Sequence, residues 1–209
     1  MATATKVILK PRKQPVQARS AASVDAILEA TLQVLVQVGK EKLTTTRVAA
    51  RAGVSVGTLY QYFPNKSALL QGALKRHLDE VSREIERICL EQQGAPLRQM
   101  VTELITGFFR AKMQNAKTSV SLYAVSSDVD GQRISEQKRV QNMKAIVAML
   151  ESSSEPLGDA GMAATMLQGA MVGVSRSLLE SPAPEKRLEK TLSELVFLAC
   201  SYVEACKAR

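Results

Sequence analysis

Residues 44–66, TTTRVAARAGVSVGTLYQYFPNK, leave little freedom to the backbone that carries them. Thr44 or Thr45 can cap a helix, because a threonine hydroxyl accepts from the free N–H groups of a first turn. Val48, Ala49 and Ala52 then form one apolar face. Gly53 is the residue that turns left-handed after a helix C-terminus, and Ser55 can cap a second helix. Leu59 and Phe63 are four apart and point inward together, which sends Gly57 and Gln61 outward, flanked by Thr58, Tyr60 and Tyr62. Pro64 stops the run, and Asn65 can cap whatever follows. Two short helices joined through a glycine turn make a helix-turn-helix, expected here over residues 44–63. In that shape the second helix enters the DNA major groove and presents its first turns to base edges.

The charge agrees with the motif. Residues 1–76 carry 12 Lys and Arg against 3 Asp and Glu, a net of +9, whereas residues 77–209 carry 16 against 17, a net of −1. All of the excess positive charge therefore lies with the helix-turn-helix, as a phosphate-facing module requires. Residues 1–18 contain several Lys and Arg, no acid, and prolines at Pro11 and Pro15. They are expected to form a flexible basic arm; a segment of this kind either lies along phosphates or does no more than solubilise the chain. Val7-Ile8-Leu9 is too short for the apolar core of a secretion signal.

The rest of the chain reads as helix. Aromatics are 4% and Trp is absent, so the core must be aliphatic, alanine and methionine. Strand and hairpin signals are lacking. The class is all-α, with about nine helices: a three-helix DNA-binding domain over 19–77, then a helical domain over 78–209. The first helix carries Val24, Ile27, Leu28, Leu32 and Leu35 and ends at Gly39. A fourth, from residue 65 to about 92, spans roughly 40 Å at ~1.5 Å per residue and is the expected lever between the domains. The only histidine, His77, sits on it and is expected to be partly exposed. Further helices follow over about 97–117, 119–127, 134–152, 159–180 and 185–205. The last two are the most apolar, but neither reaches the ~18 uninterrupted apolar residues of a membrane span. They suit either the centre of a monomer core or a dimer interface; Gly169 and Gly173, four apart, permit close backbone approach in both cases. The methionines and aromatics between residues 100 and 175 suit either a plain core or an adaptable apolar pocket.

The quoted residues 45–49 and 52–63, with Asn65-Lys66-Ser67-Ala68-Leu69-Leu70, resemble the DNA-binding signature of the TetR family of bacterial transcriptional regulators. The resemblance covers about residues 19–77. It implies a cytoplasmic bacterial protein that binds double-stranded DNA at a palindromic operator. It further implies homodimerisation through the last two helices and release by a small-molecule effector, without a membrane or a cofactor. Carried over residue by residue, it places Arg19 and Lys66 on phosphates and Thr45 and Thr46 at the start of the second helix. Ser55, Val56, Gly57 and Thr58 then form the reading end of the third helix, extended by Tyr60, Gln61 and Tyr62. It also implies an effector pocket, for which Phe108, Phe109, Met113, Tyr123, Met143 and Met166 are the candidates. The expected regulator is a repressor.

Enzyme chemistry finds no footing. Gly173-Val174-Ser175-Arg176-Ser177 lacks the final glycine and the strand of a serine elbow. Cys89, Cys200 and Cys206, with one histidine, do not make a zinc site, and their odd number suits reduced thiols. No phosphate-cradling loop is present, and no metal site is expected. Two other readings stay open. A helical carrier would bind ligand without preferring any DNA sequence. A nucleic-acid packaging protein would use the positive first segment alone.

Overall fold

The computed structural model describes residues 18–126 and 129–207, with side chains from Ser20 onward. The arm expected over residues 1–18 falls outside this range except for Ala18, and the side chain of Arg19 is likewise not described. Among the described residues there are nine α-helices and no strand: α1 (Ala18–Lys42), α2 (Thr45–Ala52), α3 (Val56–Tyr62), α4 (Lys66–Glu91), α5 (Leu97–Met113), α6 (Ala116–Val125), α7 (Gly131–Glu151), α8 (Ala160–Leu179) and α9 (Pro184–Ala205). The all-helical expectation holds.

The chain forms two compact units. The first contains the residues up to His77 together with 117–134; the second contains 78–116 and 135 onward. The helices α4 and α7 each contribute turns to both.

In the first unit, α1 packs on α2 and α2 on α3. The most apolar 18-residue window within Ser20–Lys42 of α1 has a mean hydropathy of 1.4, as high as a membrane span. Ile27, Leu28, Leu32 and Leu35 account for much of this, and all four are buried. Gly39, at φ 75° and ψ 170°, breaks the helix where expected and leaves residues 40–42 as a separate turn. Leu59, Phe63 and Leu69 complete this core. Gly72 lets α4 approach it closely: a Cβ there would lie 2.9 Å from the Phe63 ring and 3.1 Å from Leu28.

The segment 117–134 belongs to the same unit through specific contacts. Gln71 donates to the Val129 carbonyl at 3.1 Å. Ser119 Oγ lies 3.1 Å from His77 Nε2. Gly131 starts α7 where a Cβ would lie 2.5 Å from the Ser126 carbonyl and 2.8 Å from Leu74. His77 is therefore buried, not partly exposed. Periodicity placed it beside the apolar stripe of α4, but its cover comes from α6, 42 residues away.

In the second unit, α5 packs against α8 and α9, which also pack on each other. Met100, Leu104, Ile105, Leu167, Leu195 and Val203 are central to its core. The polar linker at 152–158 is a working junction. Glu155 Oε2 accepts from the Leu97 N–H at the start of α5 at 3.1 Å, and its Oε1 accepts from Lys207 Nζ at 2.7 Å. The N-cap residue Pro96 offers no side-chain cap, so a distant carboxylate supplies one.

Candidate nucleic-acid interface

The corner between α2 and α3 is built by local chemistry. Thr44 caps α2, its hydroxyl accepting from Arg47 N–H at 3.2 Å. Gly53 adopts φ 67° and ψ 29°, and Val54 N–H reaches back to the Ala49 carbonyl at 3.0 Å. This left-handed closure satisfies carbonyls that the helix end leaves open, and glycine adopts it without a Cβ penalty. Ser55 caps α3, accepting from Thr58 N–H at 2.9 Å, while the two hydroxyls lie 2.8 Å apart.

This arrangement sorts the side chains of α3. Leu59 is fully buried and Phe63 nearly so. Ser55, Gly57, Tyr60 and Gln61 are exposed, and Val56 and Thr58 are half-buried. Thr45 is half-buried and Thr46 exposed at the start of α2. The hydroxyls of Thr45 and Tyr60 share a hydrogen bond of 3.0 Å.

Tyr62 corrects the sequence reading. It was expected outward, but it is buried. The signal was present: positions 59, 62 and 63 follow the i, i+3, i+4 spacing of one apolar face.

Two cations reinforce the corner. Lys66 Nζ donates to the Lys40 carbonyl at 2.6 Å, and Arg47 Nη1 donates to the Lys42 carbonyl at 3.0 Å. Both carbonyls lie in the turn after the Gly39 break. Arg47, which the sequence reading did not single out, is exposed beside Thr46. Its signal was its position in the first turn of α2.

The six effector-pocket candidates do not form one set. Phe108 and Phe109 are buried in the second unit, with ring centroids 5.7 Å apart and planes at 74°. Met113 and Met143 pack against that core. Met166 does not, being 47% exposed on the outer side of α8, and Tyr123 belongs to the first unit. Lys112 is buried with its ammonium 5.9 Å from the Phe108 ring centroid, close enough for a cation–π contact. Among the described residues no cluster of His, Cys, Asp and Glu could hold a metal ion.

The outer faces of α8 and α9 carry Met162, Met166, Val172, Phe197 and Leu198, each at least 47% exposed. Added Cβ atoms at Gly169 and Gly173 would meet open space.

Two family models match this chain. The model for bacterial regulatory proteins of the tetR family covers residues 27–73, and the tetracyclin repressor-like C-terminal domain covers residues 96–202. The second match alone spans more than half of the chain. The chain belongs to the TetR family.

Among relatives of this TetR-family protein, the HTH-type transcriptional repressor KstR of Mycolicibacterium smegmatis is 31% identical over 134 residues. That match covers 64% of this chain and 65% of KstR, so the chain spans just under two thirds of that relative's length. A transcriptional regulator from Rhodococcus sp. Rha1 shares the fold at a TM-score of 0.72 and 16% identity, covering 88% of this chain and 97% of its own. FadR from Bacillus subtilis, solved in complex with stearoyl-CoA, has a TM-score of 0.59 and 18% identity, covering 82% and 97%. At these identities the two structures establish a shared fold.

Proposed function

We propose that this protein is a homodimeric, sequence-specific DNA-binding repressor that a small-molecule effector releases from a palindromic operator. It acts in the bacterial cytoplasm, where the chromosome lies. The observation that carries the reading is the sorting of α3. Its apolar residues are fixed in a core, while Ser55, Gly57, Tyr60 and Gln61 stand exposed behind a capped, glycine-closed corner.

Each group has a role in this reading. Gln61 offers the amide that pairs bidentately with adenine, and Thr58 adds a hydroxyl. Val56 and Gly57 have no hydrogen-bonding side chains, so thymine-methyl contact and DNA shape carry part of the specificity. Thr45, Thr46, Ser55 and Tyr60 meet the backbone or nearby bases, and Arg19 and Lys66 meet phosphates. The N-terminal basic arm adds sequence-independent attraction.

The exposed apolar faces of α8 and α9 fit pairing of two hairpins into a four-helix bundle, with Gly169 and Gly173 at the close approach. Pairing sets two α3 helices on half-sites about one turn, ~34 Å, apart or a multiple of it. The second unit would hold the effector near Phe108, Phe109, Met113 and Met143. FadR holds stearoyl-CoA within the same architecture, which supports an apolar effector. Release requires unequal effector affinity for the DNA-bound and free states.

Fluorescence anisotropy on DNA from beside the gene, against scrambled DNA and across a salt series, tests the reading. The expected result is a preference that survives near-physiological salt and weakens as effector is added. Equal binding to both DNAs, collapsing with salt, overturns it in favour of plain phosphate attraction. Ligand binding and dimerisation without any DNA preference overturn it in favour of a helical carrier.

A further inference from the structure

One aromatic side chain of the second unit stands outside its core. The chain has four phenylalanines. Phe63, Phe108 and Phe109 are at most 3% exposed, whereas Phe197, on α9, is 69% exposed. A ring left in water forfeits most of the burial that an aromatic side chain offers.

Next to it, between α8 and α9, lies a groove of about 490 Å³. Val174, Leu195 and Leu198 form its apolar lining. Lys186, Arg187 and Lys190 form its charged lining, completed by Thr191 and Glu194. That volume accommodates a large side chain. Phe197 and Leu198 lie three and four residues beyond Glu194, so ring and groove share one face of α9.

The three cations gain nothing within their own chain. Among the described residues none of their side chains forms an ion pair. Lys186 and Arg187 stand in the first turn of α9, where the helix dipole disfavours positive charge. Lys186 and Lys190 are four apart, a spacing at which like charges repel. An apolar groove rimmed by unpaired cations suits an aromatic face, because the electron-rich face of the ring attracts them.

The occupant that fits is a second copy of this chain. Ring and groove side by side on one surface are self-complementary: a two-fold axis between them carries each ring to the other copy's groove. Any other occupant of the groove leaves Phe197 in water. A second copy buries both rings and fills both grooves, in the way that aromatic anchors seated in pockets hold interfaces together.

We propose that the dimer is keyed by a reciprocal exchange, in which the Phe197 ring of each copy enters the groove between α8 and α9 of the other. The ring lies against Val174, Leu195 and Leu198 and beside the Arg187 and Lys190 cations. This inference rests on the dimeric reading above and names the contact that holds the pair together.

The test is sedimentation equilibrium of the full chain over a dilution series, with thermal melts to confirm folding. Phe197→Ala should weaken dimerisation at least ~30-fold, the ratio that the ~2 kcal/mol of an interface anchor gives. Met162→Ala, on the same hairpin but outside the groove lining, should cost less than ~5-fold. Arg187→Gln combined with Lys190→Gln should weaken the wild-type dimer at least ~2-fold and leave the Phe197→Ala protein unchanged. Plain repulsion between like-charged copies predicts the opposite, a tighter dimer. Val174→Phe fills the groove from within its own chain and should also weaken the dimer. Mixed with Phe197→Ala, it should give a heterodimer tighter than either homodimer, because one ring-and-groove contact is restored. A wild-type protein that stays monomeric overturns the dimeric reading and this inference together. A dimer that Phe197→Ala leaves intact removes this inference alone. So does a heterodimer with no advantage, or a dimer that tightens when the cations are removed. The cation variant, altered only at exposed positions, decides the matter if the other two do not fold.

Discussion

The hydroxyl of Tyr60 lies 3.0 Å from that of Thr45, a hydrogen bond between the exposed turns of α3 and α2. It joins two residues 15 apart in the chain on the surface proposed to meet DNA. Tyr60→Phe removes it while keeping the ring. An exposed neutral hydrogen bond is worth roughly 0.5–1.5 kcal/mol, so operator affinity should fall roughly two- to tenfold. The melting temperature should fall by no more than a few degrees, because the core residues of α3 are untouched. Anisotropy and thermal melts on one preparation check both; a large loss of stability with normal affinity would contradict the assignment.

Lys66 offers a cleaner division of roles. Its ammonium is held at the Lys40 carbonyl, 2.6 Å away, in the turn that follows the α1 break. Lys66→Ala should weaken operator and scrambled DNA by similar factors and reduce the slope of log K against log salt by about 1. An unchanged slope with a lowered melting temperature would mean that the lysine only braces the turn. Substitution of Gln61 should instead alter preference among sequences, as read by site selection.

Glu155 predicts a pH dependence. The hydrogen bond from Lys207, and then that from the Leu97 N–H, hold its carboxyl below the ordinary value of 4.5. A carboxyl whose folded value is depressed stabilises the protein above its unfolded value, and this contribution fades as pH falls through the folded one. Glu155→Gln should therefore lower the melting temperature at neutral pH. The gap to the wild type should close as pH drops below 4.5. A gap independent of pH would mean that the carboxylate charge contributes nothing.

The cysteines differ in reactivity. Burial, with the nearby Glu86 charge, pushes the Cys89 thiol up to about 12, so it carries almost no thiolate near pH 8. Cys200 is buried, whereas Cys206 is half-buried past the end of α9. A disulfide-exchange reagent at pH 8 should label Cys206 first and the other two only on unfolding. Cys206→Ser should remove the early phase; rapid labelling of Cys89 would mean that its helix opens readily.

What the sequence could announce was local. Thr44, Gly53, Ser55 and Asn65 shape the backbone within a few residues of themselves, so the corner and its capped helices were legible from spacing alone. Periodicity also recovered the stripe of α1 and the nine-helix plan. It states which residues share a face, not what covers that face. Tyr62 was misplaced because a seven-residue helix offers too few turns to separate an edge from an outward position. Met166 was misplaced because an apolar side chain on α8 satisfies either an interior or an exposed face. His77 with Ser119, and Glu155 with Leu97, are partners 42 and 58 residues apart, and no local rule links them.

The unit that carries the helix-turn-helix is discontinuous in the chain, since residues 117–134 return to it. A ribosome that has released only the first 77 residues has therefore made α1, α2, α3 and the first turns of α4, which still lack their cover. Leu74 and His77 meet their α6 and α7 partners only after the next two helices have emerged. A chimera joined at residue 77, a natural place to exchange reading heads between regulators, would separate these residues from the partners that evolved with them. Grafting 117–134 together with the head keeps those contacts within one parent.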